Sequence, residues 1–212
     1  GGALVGFWLA WAVVLGGLPS WIRSSLLTFS GVASNFAGVP LAFAFLATLG
    51  RTGLVTMILR DWFGINLYAT GFNLLSFLGL TLTYMYFQIP LMVLIITPAL
   101  DGLKKEWREA AEILGATNTQ YWTKVALPIL FPSILGTTLL LFANAFGAIA
   151  TAYSLTGSTF NIVPIQLYAQ IRGDVLHNPN LGYALALGMI VITGISNLIY
   201  IWLRMRAERW QK

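Results

Sequence analysis

The sequence has no cysteine and very little charge: only 9% of its 212 residues are Asp, Glu, Lys or Arg. Without cysteine there is no disulfide framework, no thiol nucleophile and no Cys-type metal site. A soluble domain carries about 25% charged residues, so this chain cannot clothe a water-soluble surface. What it has instead is apolar bulk: 58% hydrophobic residues and a mean hydropathy of +0.77. That composition defines an integral membrane protein. The formal net charge of +5 then records membrane topology and not nucleic-acid binding.

The opening residues, GGALVGFWLAWAVVLGGLPSWIR, show no initiator Met, no basic leader and no small-residue cleavage site. The expectation is that the numbering begins inside or just before a membrane helix of a longer chain. Five apolar segments follow: 2–18, ended by Pro19, then 24–49, 72–100, 127–155 and 181–203. Each is near or above the ~20 residues that cross ~30 Å of hydrocarbon as a helix. Barrel strands would instead show alternating segments of ~10 residues. The fold class expected is therefore all-α, a polytopic membrane helix bundle. Pro40, Pro90 and Pro98 fall within or near the ends of these segments and predict kinks, with a hinge or path role as the alternative.

Lys and Arg give the orientation. Arg23, Lys104, Lys105, Arg108, Lys124, Arg204, Arg206, Arg209 and Lys212 lie on one side; Arg51, Arg60 and Arg172 lie on the other. The positive-inside rule puts the first set, the stretch around 101–128 and the C-terminus in the cytoplasm. The loops 51–71 and 156–180 are then external. In the second of these, Ile162, Val163, Ile165 and Leu167 can dip into the interface, although a surface cap is favoured. His177 stands alone there and reads as neither ligand nor base.

No Asp, Glu, Lys, Arg or His occurs within the five segments. Proton-coupled carriers, proton pumps and voltage sensors place such groups inside the membrane. The phosphate-binding pattern GxxxxGK[ST] is also absent. A chain with neither device that moved a solute uphill would need energy from a partner, delivered outside the bilayer. One stretch is polar enough to receive it. In DGLKKEWREAAEIL, residues 101–114, an apolar stripe of Leu103, Trp107, Ala110, Ala111 and Leu114 recurs at helical spacing. Asp101 and Gly115 read as its boundaries. A second short helix, about 119–126, follows, with Pro128 near the first turn of the next segment. From these residues alone, a plain connecting helix and a docking helix fit equally well.

The stretch EAAEILGATNTQYWTKVALP resembles the EAA motif of the permease subunits of binding-protein-dependent type I ABC importers. That pattern is Glu-Ala-Ala, three residues, Gly, nine residues, Ile, one residue, Leu-Pro. Here it reads Glu109-Ala110-Ala111, Gly115, Val125 and Leu127-Pro128, departing only in Val125. The stretches GRTGLVT, PLMVLIITPALDGL and FANAFGAIATAYSLTG resemble the same family, in the same order. The resemblance implies a MetI-like permease core in the bacterial inner membrane. It also implies that 101–128 is a cytoplasmic coupling loop seated in a groove of a separate ATPase. Glu109 would make polar contacts there or hold the loop in shape. Ala110 and Ala111 would allow close approach, Gly115 would set the turn, and Leu127 and Pro128 would pass motion on. The implied partners are two ATPase subunits, a second and different permease chain, an external solute-binding protein and the bilayer. No catalytic residue, metal or cofactor is implied for this chain, ATP and magnesium being held by the ATPase.

Within the segments, Asn35, Tyr84, Tyr86, Gln88, Asn144, Thr151 and Tyr153 are candidates for a polar solute path. Each has a second reading: the amides as hydrogen-bonding glue between helices, the tyrosines as interfacial belt. The RTGLVT loop and the run AQIRGDVLHNPNLGYALALGMIV most resemble the branch that handles polyamines, ferric iron, thiamine and phosphonates. Spermidine or putrescine is the solute expected from it, although no acidic residue in the segments offers a polyamine an anionic cage. An ATP-independent facilitator or channel, and a membrane scaffold or sensor, are the readings from other classes.

Overall fold

A computed structural model describes residues 1–157, 160, 162–172 and 178–208. Among the described residues all regular structure is helical. In chain order the helices are α1 (Gly2–Leu15), α2 (Ser20–Asn35), α3 (Val39–Leu49), α4 (Leu54–Phe63), α5 (Phe77–Asp101), α6 (Lys105–Ile113) and α7 (Asn118–Tyr121). One wider π turn, Trp122–Ala126, leads into α8 (Leu127–Gly147), followed by α9 (Ile149–Thr156), α10 (Val163–Arg172) and α11 (Pro179–Glu208).

Among the described residues, four helical stretches are long and apolar enough to cross a bilayer: Val39–Phe63, Phe77–Asp101, Asn118–Gly147 and Pro179–Arg206. The sequence suggests five. The difference begins with α1, whose 14 residues fall short. Gly16 and Gly17 end it before Pro19, Gly17 in the left-handed region at φ 68°. The apolar run 24–49 is divided at Phe36–Gly38, where Gly38 at φ 77° turns the chain between α2 and α3. Pro40 therefore lies in the first turn of α3, where its missing N–H costs nothing, and is not a kink. Pro90 and Pro98 are inside α5 and Pro132 inside α8. The expected loop 51–71 contains α4, and the run 127–155 breaks at Ala148 into α8 and α9. His177 and Arg209 lie outside the described residues.

The chain forms two compact units. The first comprises 1–33, 88–143 and 194–212, and its core is Ala10, Met92, Val93, Ile96, Leu100, Leu130 and Leu141. Glycine lets α1 approach α5 closely. A Cβ on Gly2 would lie 2.7 Å from the Gln88 Cβ, and one on Gly6 would lie 2.6 Å from the Met92 Cβ. This is the small-xxx-small packing that membrane helices use where no water drives them together. The second unit comprises 34–87 and 144–193, with a core of Ala42, Leu74, Leu80, Ala152, Leu155 and Ile165. Ile165 is 3% exposed, so α10 packs into this core and does not merely cap a surface. Outside these cores the helices present Leu, Ile, Val, Phe and Trp outward. Such a surface would aggregate in water and suits hydrocarbon.

Candidate functional site

The polar elbow between α5 and α8 is a small folded unit. Asp101 is not its start, because α5 runs through that residue and Asp101 accepts a hydrogen bond from Arg23. The elbow's first helix, α6, begins at Lys105. Its amphipathic stripe splits into an inner and an outer face. Trp107 and Ala111 turn inward and pack with Leu103, Ala116, Tyr121, Trp122, Val125 and Ala126. Ala110 and Glu109 are exposed, and Ile113 and Leu114 are each 86% exposed. The sequence stripe placed Ala110 and Leu114 with the buried residues; the structure puts them outside. Ala111, 8% exposed, is small because its own loop packs against it.

Gly115 ends α6 at φ 76°. Its N–H donates to Glu112 O at 2.9 Å, and the Ala116 N–H donates to Ala111 O at 2.9 Å, the two bonds of a Schellman cap. Thr117 then opens α7 with a reciprocal capping box. Its hydroxyl accepts from the Gln120 N–H at 3.3 Å, while Gln120 Oε1 accepts from the Thr117 N–H at 2.8 Å. The second helix, expected to be separate over 119–126, instead runs on through the π turn into α8. Leu127 N–H donates to Trp122 O, five residues back. Pro128 has no N–H to give Lys124 O, and the widened turn absorbs that gap. Leu127 and Pro128 are exposed just beyond it.

Leu103 and Trp122 pack against both the elbow core and the core of the first unit. The Trp122 ring also meets Trp11 of α1 edge-on, centroids 5.9 Å apart. Sequence reasoning missed Trp122 and Tyr121 because both lie outside the fixed positions of the EAA pattern; aromatic density in QYWTK was the only signal.

The candidate path residues fall in both units, all but Gln88 in the second. In the second unit the Tyr84 hydroxyl donates to Ala148 O at 2.6 Å, covering a carbonyl at the α8–α9 break. Tyr86 is ringed by Phe36 and Phe45. Thr151 is buried and its hydroxyl accepts from the Gly38 N–H at 2.8 Å, pinning the α2–α3 break. Tyr153 is exposed against Tyr168 at 5.1 Å. Asn35 and Asn144 are exposed near helix ends. In the first unit Gln88 is buried; its Nε2 donates to Leu141 O at 3.0 Å, and its Oε1 has no partner. A cleft of about 330 Å³ in that unit is lined by Pro98, Pro132, Ser133, Thr137, Tyr200 and Arg204 among others, and by none of the predicted path residues. Among the described residues no cluster of His, Asp and Glu could hold a metal.

These features define an all-helical membrane protein with a polar elbow that presents its own outward face. The sequence matches, over residues 2–210, the family described as the binding-protein-dependent transport system inner membrane component. It is 32% identical over 176 residues to the molybdenum transport system permease protein ModB of Escherichia coli, covering 81% of this chain and 73% of that one. A probable sulfate transport system permease protein of Anthoceros angustus is 31% identical over 68% of this chain and 47% of its own length. The spermidine/putrescine transport system permease protein PotC of Haemophilus influenzae is 28% identical over 56% of this chain and 45% of its own. The chain belongs to the inner-membrane permease family of binding-protein-dependent ABC importers. Its relatives are permease subunits, and the family implies an ATPase and a binding protein as separate partners.

Proposed function

We propose that this chain forms the solute path of an ATP-driven importer and couples it to two ATPase subunits through residues 101–128. A second permease chain and an external binding protein complete the complex, and ATP and magnesium are held by the ATPases. The observation that carries this reading is the outer face of α6. Glu109, Ala110, Ile113 and Leu114 are exposed together on a helix whose other face is already satisfied. Closure of the ATPases draws on this face. Gly115, Leu127 and Pro128 shape the connection to α8, and Leu103 and Trp122 carry the displacement into the core of the first unit.

The solute favoured is a small tetrahedral oxyanion of the molybdate or sulfate kind. Two observations support it: the ModB and sulfate permease resemblances, and the pairing of both acidic residues in the four candidate crossings, Asp61 with Arg60 and Asp101 with Arg23. No unpaired carboxylate in those crossings opposes an anion or offers a polycation a partner. Spermidine or putrescine is the second reading, favoured by the PotC resemblance and by the exposed Tyr153–Tyr168 pair, which offers a face to a cation. Reconstitution of the complex with its binding protein separates the two: radiolabelled molybdate should accumulate on ATP addition and spermidine should not. The reverse result replaces the solute. Uptake by this chain without any ATPase overturns the importer reading in favour of a facilitator.

A further inference from the structure

The second unit contains a break between two helices that is built like an anion site. Helix α3 ends at Leu49, and α4 restarts at Leu54 after Gly50, Arg51, Thr52 and Gly53. The turn is tight enough to demand glycine: a Cβ on Gly53 would lie 2.5 Å from Thr48 O. The restart leaves the first N–H groups of α4 without partners inside the helix. No side chain caps them, and no acidic residue occupies the first turn.

Three further observations point to a ligand. Thr56, the third residue of α4, is 4% exposed and its hydroxyl has no hydrogen-bond partner. Helical side chains lean toward the helix N-terminus, so the Thr56 side chain lies over the open first turn. Arg51 adds a full positive charge beside the positive end of the helix dipole, an unfavourable pairing unless an anion joins it. Its guanidinium lies over the Tyr68 ring at 5.6 Å, and the Tyr68 hydroxyl donates to Leu49 O at 2.8 Å. The ring therefore holds both the end of α3 and the cation. Asp61, the one acidic residue in 34–87, is already engaged by Arg60 at 2.8 Å. The positive potential at the break has no counter-charge among these residues.

The geometry points to an oxyanion-binding subsite at the α3–α4 break, in which the N–H groups of Leu54 to Thr56, the Thr56 hydroxyl and Arg51 receive a tetrahedral oxyanion. Main-chain donors at a helix start, a hydroxyl and a guanidinium suit such an anion. A broken helix within a candidate membrane crossing offers that site without burying a fixed carboxylate or an unpaired lysine. The site rests on the oxyanion reading of the solute and deepens it to a contact made within the permease.

The test uses the complete complex, reconstituted in liposomes with its ATPase and binding protein, with molybdate as probe. Thr56→Val keeps the shape and removes the hydroxyl; it should lower ATP-driven uptake by about tenfold, the worth of one charge-assisted hydrogen bond. Thr56→Ser should retain uptake. Both variants should still be extracted and elute as intact complexes with the ATPase, which a general loss of structure would not allow. Arg51→Gln should weaken uptake in the same way. In a structure of the complex soaked in tungstate, anomalous scattering should place the metal within hydrogen-bond reach of Thr56. Wild-type uptake rates in Thr56→Val, or tungstate absent from residues 51–56, overturn the site. A wild-type complex that moves no oxyanion but shows tungstate at the break refutes the solute reading and leaves the site standing.

Discussion

At the scale of single residues, two adjacent alanines carry different constraints. Ala111 is packed against Trp107, Tyr121 and Ala126, whereas Ala110 is exposed on the outer face of α6. Sequence spacing made them equivalent, because one pair of small residues three or four positions from Trp107 and Leu114 fits either side of a stripe. Only the packing of α7 and the π turn onto one side distinguishes them. Ala111→Glu should therefore break the elbow itself, since burying an unpaired carboxylate costs several kcal/mol, and protease cleavage within 101–128 should rise. Ala110→Glu should leave the elbow protease-resistant and the membrane yield normal, while the ATPase no longer co-purifies. Equal behaviour of the two variants would contradict the split face. Gln88 shows the same limit of sequence. Its cost in lipid was legible, but its bond to Leu141 O and its bare Oε1 were not.

At the scale of elements, glycine and proline were legible as punctuation, but their consequences were not. Gly115 was expected to turn the chain after α6, and it does so at positive φ. Pro128 was expected at a helix start, yet the chain is helical on both sides of it through a π turn, because α7 is capped early by Thr117. The elbow thus passes into α8 as a continuous rod, and Trp122 on that rod touches the elbow core and the core of the first unit. Trp122→Ala removes this link without touching the outer face of α6. Truncating a packed Trp costs about 3–5 kcal/mol where it is buried, and less here because the ring is only half-buried. The expected outcome is a complex that still assembles with its ATPase and hydrolyses ATP, with uptake per ATP reduced. Retention of wild-type coupling would remove Trp122 from the pathway of force.

At the scale of the whole molecule, orientation is the expectation to test, and the lack of cysteine makes the test clean. Lys105→Cys, on exposed α6, should react with a membrane-impermeant maleimide only when the cytoplasmic face is opened. Trp62→Cys, on α4 and 80% exposed, should react from outside in intact cells. The opposite labelling pattern would invert the positive-inside assignment and detach the elbow from any cytoplasmic ATPase.

The amino-acid sequence by itself determined the membrane class, the helical fold, the family and the place of the polar elbow. Each follows from composition or from spacing along the chain, and both survive without knowledge of long-range contacts. The tertiary structure decided which face of α6 is outward, where apolar runs break into separate helices, and that Trp122 joins the elbow to the core of the first unit. It also left the Thr56 hydroxyl buried and unpartnered beside the open start of α4. Those facts depend on which distant residues come to lie against each other, and a pattern of neighbours along the chain does not contain them.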